Sequence, residues 1–350
     1  MLALALSAPA FAEEFEVPLP PGAIKQIKEN LPVCSEDAKV RFAELRHKLP
    51  SGMTGMMVRI ESKRPSCEGQ WMAVTSTSGG FFLGPIWFLD DEKEQPTLEA
   101  KLKTFGWNKL QVNMTPVVDR TLTTNHLYNA VLHQTTERGS VDLEGEIDPQ
   151  GTAFFLGHWV ALKNDLRQER LKAFAPIVAN SPAKGAAKPE VTVIEFSDFE
   201  CPSCQRAAGY MDPVMKQHAD KVRYVRYDLP LVQMHPWALS AAIAGRAIYR
   251  QKPELFWDYK KFVYEHQEAL NTFTIDDQAR GFAQDHELDL KKYDADVASP
   301  ELRAEMLKGI GIAFANDIRA TPTYIVNGVA VDPGEKGGSL EKYVADLLKK

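Results

Sequence analysis

Cysteine is scarce in this chain, with four in 350 residues, too few for a fold stapled by a disulfide framework. No run of about 18 apolar residues occurs, which leaves no stretch long enough for a membrane-spanning helix. Basic clusters are missing as well. The 41 Lys and Arg are scattered among 47 Asp and Glu, for a formal charge of −6, and that pattern lacks a nucleic-acid footprint. The eight histidines fall in no Ser/His/Asp or metal-ligand spacing. What is present is ordinary globular composition, 44% apolar and 25% charged, over a length sufficient for two or three domains.

Residues 1–12, Met-Leu-Ala-Leu-Ala-Leu-Ser-Ala-Pro-Ala-Phe-Ala, end in Ala-x-Ala and precede Glu13-Glu14. This is the apolar region and cleavage site of a secretory signal peptide, without its basic leading segment. The plainer reading is a disordered apolar tail. Export would place the protein in the periplasm or another extracytoplasmic, oxidising compartment.

Two of the four cysteines form Cys201-Pro202-Ser203-Cys204, directly after a strand-like run, Val191 to Phe196, and at the head of a helical stretch expected over 205–218. Thiols so spaced at a helix N-terminus can cycle between dithiol and disulfide. The helix amides favour a thiolate on the first sulfur, and the second lies one turn behind it. A structural disulfide and half of a zinc site share this spacing, but zinc needs two more ligands and no paired Cys/His spacing supplies them. The other two cysteines, Cys34 and Cys67, read as a structural disulfide; a second redox pair is the alternative.

Two features surround the motif. Glu195 is the one charge in the strand, six residues before Cys201. It reads either as an outward residue of an edge strand or as a buried carboxylate of raised pKa that relays a proton to Cys204. Far downstream, Arg319-Ala320-Thr321-Pro322-Thr323 leads into the apolar strand Tyr324-Ile325-Val326 and an Asn327-Gly328 turn. A proline at such a strand entrance can follow a cis peptide bond, leaving the Thr321 backbone free for an extended substrate.

The run Ile194-Glu195-Phe196-Ser197-Asp198-Phe199-Glu200-Cys201-Pro202-Ser203-Cys204, with Thr321-Pro322-Thr323 behind it, closely resembles the DsbA-like thiol–disulfide oxidoreductases of the thioredoxin superfamily. The resemblance covers roughly residues 188–350. It implies Cys201 as attacking thiol, Cys204 as resolving thiol, Glu195 as buried acid and Pro322 as cis-proline, with Thr321, Pro202 and Ser203 against the substrate. Ser203 stands where the best-known oxidase of the family has histidine, so only a neutral hydroxyl flanks the motif. His235, before Pro236 at a helix start, reads as a cap or a satisfied polar group and is left out of the mechanism.

The expected fold is α/β: a thioredoxin fold at 191–350 with a helical insertion over 236–316, preceded by an α+β region at 13–164. Ser299-Pro300-Glu301 opens the last helix of the insertion. Residues 165–190 read as a connecting helix and a proline-rich linker. Within 13–164, Phe81-Phe82-Leu83-Gly84 and Leu89 recur 73 residues later as Phe154-Phe155-Leu156-Gly157 and Leu162. That predicts two repeated modules, 34–91 and 96–164, each with one helix on a small antiparallel sheet. Ser35 is expected to cap a helix over 36–49, and Thr97 one over 98–105. The arrangement loosely resembles the dimerising cystatin-like module of DsbC- and DsbG-type isomerases. It implies a homodimer, or a pseudo-dimer within one chain.

Together these readings point to an exported thiol–disulfide oxidoreductase that needs no cofactor or metal. Its expected partners are cysteine-containing exported proteins and a redox partner that recycles the Cys201/Cys204 pair. The alternatives are an isomerase or reductase of DsbC/DsbG type and a non-catalytic binding protein or chaperone.

Overall fold

Two antiparallel sheets built on one plan form the N-terminal half of the computed structural model, which describes residues 18–34, 38–64, 67–92, 94–136 and 139–349. The expected signal segment and the Ser35 cap lie outside the described residues. The first unit is α1 (Pro21–Asn30), β1 (Lys39–Glu44), β2 (Met53–Glu61), β3 (Gly69–Ser76), β4 (Gly80–Gly84) and β5 (Ile86–Phe88). The second is α2 (Leu98–Phe105), β6 (Met114–Leu122), β7 (Tyr128–Thr136), β8 (Gly139–Ile147), β9 (Ala153–Leu156) and β10 (Val160–Ala161). Proline in the first turn of α1 presets its φ and forfeits only an N–H that has no partner in the helix. Ala23 and Ile27 of α1 then pack on Met56, Val58 and Phe81. The Thr97 hydroxyl accepts from Ala100 N at 3.1 Å and caps α2, which buries Leu102 and Phe105.

The two Phe-Phe-Leu runs fall in β4 and β9, and the units exchange their last strands. β10 pairs with β4 (Val160 opposite Phe81), and β5 pairs with β9 (Trp87 opposite Phe154). Each sheet is therefore five-stranded, with one strand from the other unit. Phe82 and Phe155 meet edge to face at 5.3 Å where the chains cross. The helix expected over 36–49 is instead β1. Val40 and Phe42 alternate with Lys39 and Arg41, a period of two, and the segment pairs along β2 (Phe42 opposite Val58).

A helix α3 (Leu166–Val178), capped by Asp165 accepting from Arg167 N at 2.9 Å, leads into the C-terminal half. There β11 (Ala183–Gly185), β12 (Val191–Ser197), β13 (Val222–Asp228), β14 (Thr323–Val326) and β15 (Val329–Val331) form a sheet in the order β11-β13-β12-β14-β15. Only β12 and β13 run parallel. The segment expected as a linker is thus no free tether: residues 183–185 add an edge strand to β13. Asn327 and Gly328, with φ of 46° and 88°, make the tight turn between β14 and β15.

After β12 come α4 (Pro202–Arg206) and α5 (Asp212–His218), where the sequence suggested one helix over 205–218. Pro213 explains the break. Its nitrogen carries no hydrogen for the Gly209 carbonyl, and its ring would collide with that carbonyl in a continuous helix. Between β13 and β14 lie α6 (Ala238–Gln251), α7 (Leu255–Glu265), α8 (Ile275–Asp285), α9 (Leu290–Val297) and α10 (Pro300–Ala315); α11 (Gly338–Leu347) ends the chain. Ser299 caps α10 through Leu302 N at 3.1 Å. Two glycines let α10 lie between the halves: a Cβ on Gly309 would strike the Tyr227 hydroxyl of β13, and one on Gly311 would sit 2.1 Å from the Asp142 carbonyl of β8. One continuous core accordingly runs from Leu102 and Leu132 through Phe174 and Phe196 to Ile310.

Candidate active site

Strand β12 ends at Ser197, and a short turn delivers Cys201 to the start of α4. Cys201 is 8% exposed and Cys204 fully buried, both as free thiols. Pro202 is exposed on the first turn of α4, and Ser203 is half-buried. Opposite them the chain between α10 and β14 turns through a cis Thr321–Pro322 bond. The Cys201 thiol lies 3.5 Å from the Thr321 carbonyl it donates to. The sequence placed these groups 120 residues apart, and the fold brings them together.

The two sulfurs are electrostatically unequal. Cys201 is lowered to about 5, chiefly by the hydrogen bond from the Cys204 thiol. Burial opposes that shift, while the Thr321 hydroxyl and the Cys204 and Ser203 amides at the head of α4 support it. Burial, then the charge on Cys201, pushes Cys204 well above the ordinary thiol range. Arg206 donates to the Ser203 hydroxyl at 2.8 Å, so a guanidinium stands beside the residue that by itself offers only a neutral group.

Glu195 is 1% exposed, on a central strand rather than an edge one. Its expected raised pKa is not found. Burial does act upward, but Lys260, Arg226 and the hydrogen bond from the Tyr224 hydroxyl overcome it, and the carboxyl ends below its usual range. Arg226 donates to Glu195 at 3.3 Å and to Asp228 at 2.9 Å, with its guanidinium carbon 4.5 Å from the centre of the Phe199 ring. Lys260, from α7, donates to the Ala208 carbonyl at 2.9 Å and lies 3.5 Å from the Tyr224 hydroxyl. Tyr324 stands opposite Glu195 on β14, and after burial the charges of Glu195 and Cys204 both raise its pKa.

Asp198 and His235 were not singled out by spacing. Asp198 is a buried hub: its amide lies 3.4 Å from Cys204 Sγ, its carbonyl accepts from Cys201 N at 3.3 Å, and its carboxylate holds His235 Nδ1 at 2.8 Å. The His235 pKa is raised, first by that bond against the cost of burial, then by the charges of Asp198, Cys201 and Glu200. Glu200 caps α6, accepting from Trp237 N at 2.7 Å and Ala238 N at 3.1 Å. The only signals in the sequence were the acidic residues just before Cys201 and the His-Pro at a helix start.

Cys34 and Cys67 are joined in a disulfide with Cα atoms 5.8 Å apart. Among the described residues, no three His, Cys, Asp or Glu converge as metal ligands, and no helix is long and apolar enough to cross a membrane.

Residues 178–346 match the family model described as Thioredoxin. The chain is 32% identical over 145 residues, 41% of its length, to the Na(+)/H(+) antiporter NhaA of Herminiimonas arsenicoxydans. It spans about a quarter or less of the curated relatives it matches, and 22% of that one. Solved structures of similar shape include BdbD from Bacillus subtilis, 19% identical over 49% of this chain and 95% of that one, with a TM-score of 0.43. Another is the thiol-disulfide exchange protein alpha-DsbA2 from Wolbachia pipientis, 16% identical over 54% and 99%, with a TM-score of 0.45. With a Cys-Pro-Ser-Cys motif leaving β12 and a matching family model over the same sheet, the C-terminal half of this chain is similar to the thioredoxin family.

Proposed function

We propose that this protein is a thiol–disulfide oxidoreductase that donates the Cys201–Cys204 disulfide to cysteines of other exported proteins. The observation that carries the reading is the inequality of the two thiols: Cys201 beside the Thr321 carbonyl at the cis-proline turn and drawn down to about 5, and Cys204 buried and pushed up behind it. A substrate thiolate attacks Cys201 Sγ, the Cys201–Cys204 bond breaks, and Cys204 leaves and takes up a proton. A second substrate thiolate then attacks the substrate sulfur of the mixed disulfide and expels Cys201 as its thiolate. Two substrate thiols are thereby oxidised, the Cys201/Cys204 pair is reduced, and a separate redox partner must reoxidise it. A stable thiolate in the reduced form favours giving the disulfide away. The formed Cys34–Cys67 bridge suits an oxidising, extracytoplasmic compartment.

Ionised at neutral pH, Glu195 serves this reading as a fixed charge that holds Tyr224, Arg226 and Lys260, and as an acceptor rather than a source of the Cys204 proton. Oxidation of reduced ribonuclease, refolding of scrambled ribonuclease and reduction of insulin, run side by side on the full chain, test the assignment. Stoichiometric disulfide donation to reduced ribonuclease is expected, with Cys204→Ala accumulating mixed disulfides and Cys201→Ala none. Efficient insulin reduction, with a potential near thioredoxin's (about −270 mV), would replace this reading with a reductase.

A further inference from the structure

Beside the cis-proline turn opens a cleft of about 1020 Å³, and only one of its walls belongs to the C-terminal half. The other is the N-terminal sheet: Arg64, Glu68, Gln70 and Trp71 around the start of β3, with Leu83 of β4. We infer that this sheet is the second wall of the substrate site. On that account the slot accepts an extended, not yet folded polypeptide segment whose cysteine is flanked by uncharged or apolar residues. The inference rests on the thiol–disulfide reading and adds the class of substrate.

The wall is held in place from several directions. Trp71 Nε1 donates to Asp317 across the base of the cleft. Arg64 donates to Asp332 at 2.9 Å. Val33 adds a short parallel bridge to β15, its amide on the Ala330 carbonyl at 2.8 Å and its carbonyl taking Asp332 N at 2.9 Å. The next residue, Cys34, is bonded to Cys67 in the loop that leads into β3. The disulfide therefore ties the second wall to the edge of the catalytic sheet. Gly69 has a part in this. A Cβ there would lie 2.3 Å from the Trp71 ring, so glycine lets the indole fold back along its own strand toward Asp317.

The chemistry of the lining selects the occupant. The charges on the walls balance, and Arg64 with Asp332 and Arg319 with Asp317 close on each other. A strongly acidic or basic partner finds no excess of opposite charge. Trp71, Leu83, Tyr210 and Pro322 offer apolar surface within the same slot as Ser203 and Thr321. A volume of this size suits a short length of chain rather than a folded face. Cysteines with apolar neighbours are buried once a protein folds, so a site of this kind meets them before that.

Photo-crosslinking in the trapped complex tests the second wall. The full chain with Cys204→Ser is loaded through Cys201 with synthetic peptides bearing one cysteine and a benzophenone side chain two residues to either side. Crosslinks to Trp71, Gln70 or Glu68 are expected, with apolar-flanked peptides loading at least several-fold faster than acidic-flanked ones. In the wild-type chain, Trp71→Ala should raise KM for the apolar-flanked peptide about tenfold, with Trp71→Phe recovering most of it. Mixed disulfides that form normally but crosslink only to the C-terminal half would overturn the second wall, and equal loading of both peptides would overturn the substrate class. Failure to form any mixed disulfide would overturn the oxidoreductase reading beneath it and this one with it.

Discussion

Lys260 holds its ammonium on a carbonyl and a phenol in the interior, and burial, against the pull of Glu195, lowers its pKa to about 8. Between pH 8 and about 10 the unfolded lysine carries a proton that the folded one has lost. The unfolded state then binds more protons, and stability must rise with pH in that window by about 1.4 kcal/mol per unit. Urea unfolding of the wild-type chain and of Lys260→Met from pH 7.5 to 10 should show this slope only in the wild type; parallel curves would remove the titration from Lys260. His235 shifts the other way. Its raised pKa, set first by Asp198, makes it a cation at the pH where Cys201 ionises. Its stabilising share is fully present below about pH 6.5 and is lost as pH rises through the folded pKa. His235→Gln should raise the Cys201 midpoint above about 5 and slow alkylation of Cys201 near that pH, whereas His235→Lys should keep it low. Thiolate absorbance against pH reads the midpoint directly, and one that stays in place in His235→Gln would take His235 out of the site. The position of the Cys201/Cys204 pair at the head of a helix and the cis bond before Pro322 were legible because each lies in a short local motif. The Glu195 pKa was not, because its sign depends on Lys260 and Arg226, cations that reach it from a helix 65 residues on and from a neighbouring strand.

Helix α10 shows what an element's sequence reveals and what it conceals. Ser299 and Pro300 announce its start, and the cap forms as those residue types dictate. Its glycines announce nothing: in isolation each would be read as a weakness of about 1 kcal/mol against alanine. Packing reverses the sign at Gly311, where an added methyl meets a strand carbonyl 2.1 Å away that cannot swing aside. Gly311→Ala should therefore lose about 1–3 kcal/mol despite its better helix propensity, measured as a fall in the denaturation midpoint. A gain would mean that α10 does not press on β8. The segment over 36–49 was misread for a related reason. Phe42, Leu45 and Leu49 satisfy a helical period, and only the partner strand β2 makes the period of two at Val40 and Phe42 decisive.

At the scale of the whole chain, the Cys34–Cys67 bond closes a loop of 33 residues, and removing it with paired serines should cost roughly 3–4 kcal/mol by chain entropy. Denaturant unfolding of the two proteins measures this, and equal midpoints would make the bond dispensable for the fold. The repeat was visible as two Phe-Phe-Leu-Gly runs, but the exchange of β5 and β10 was not, because strands of two or three residues carry too little pattern to reveal their neighbours. That exchange makes the two halves of the N-terminal region mutual templates. A peptide bond cut near residues 94–97, between β5 and α2, would release neither half, since each sheet retains a strand belonging to the other. Fragments 18–95 and 96–349, made separately, would each leave a sheet one strand short, with an open edge at β4 or β9. Mixed, they should supply each other's missing strand and regain one folded particle, so the region behaves as a built-in split protein whose reassembly can be timed.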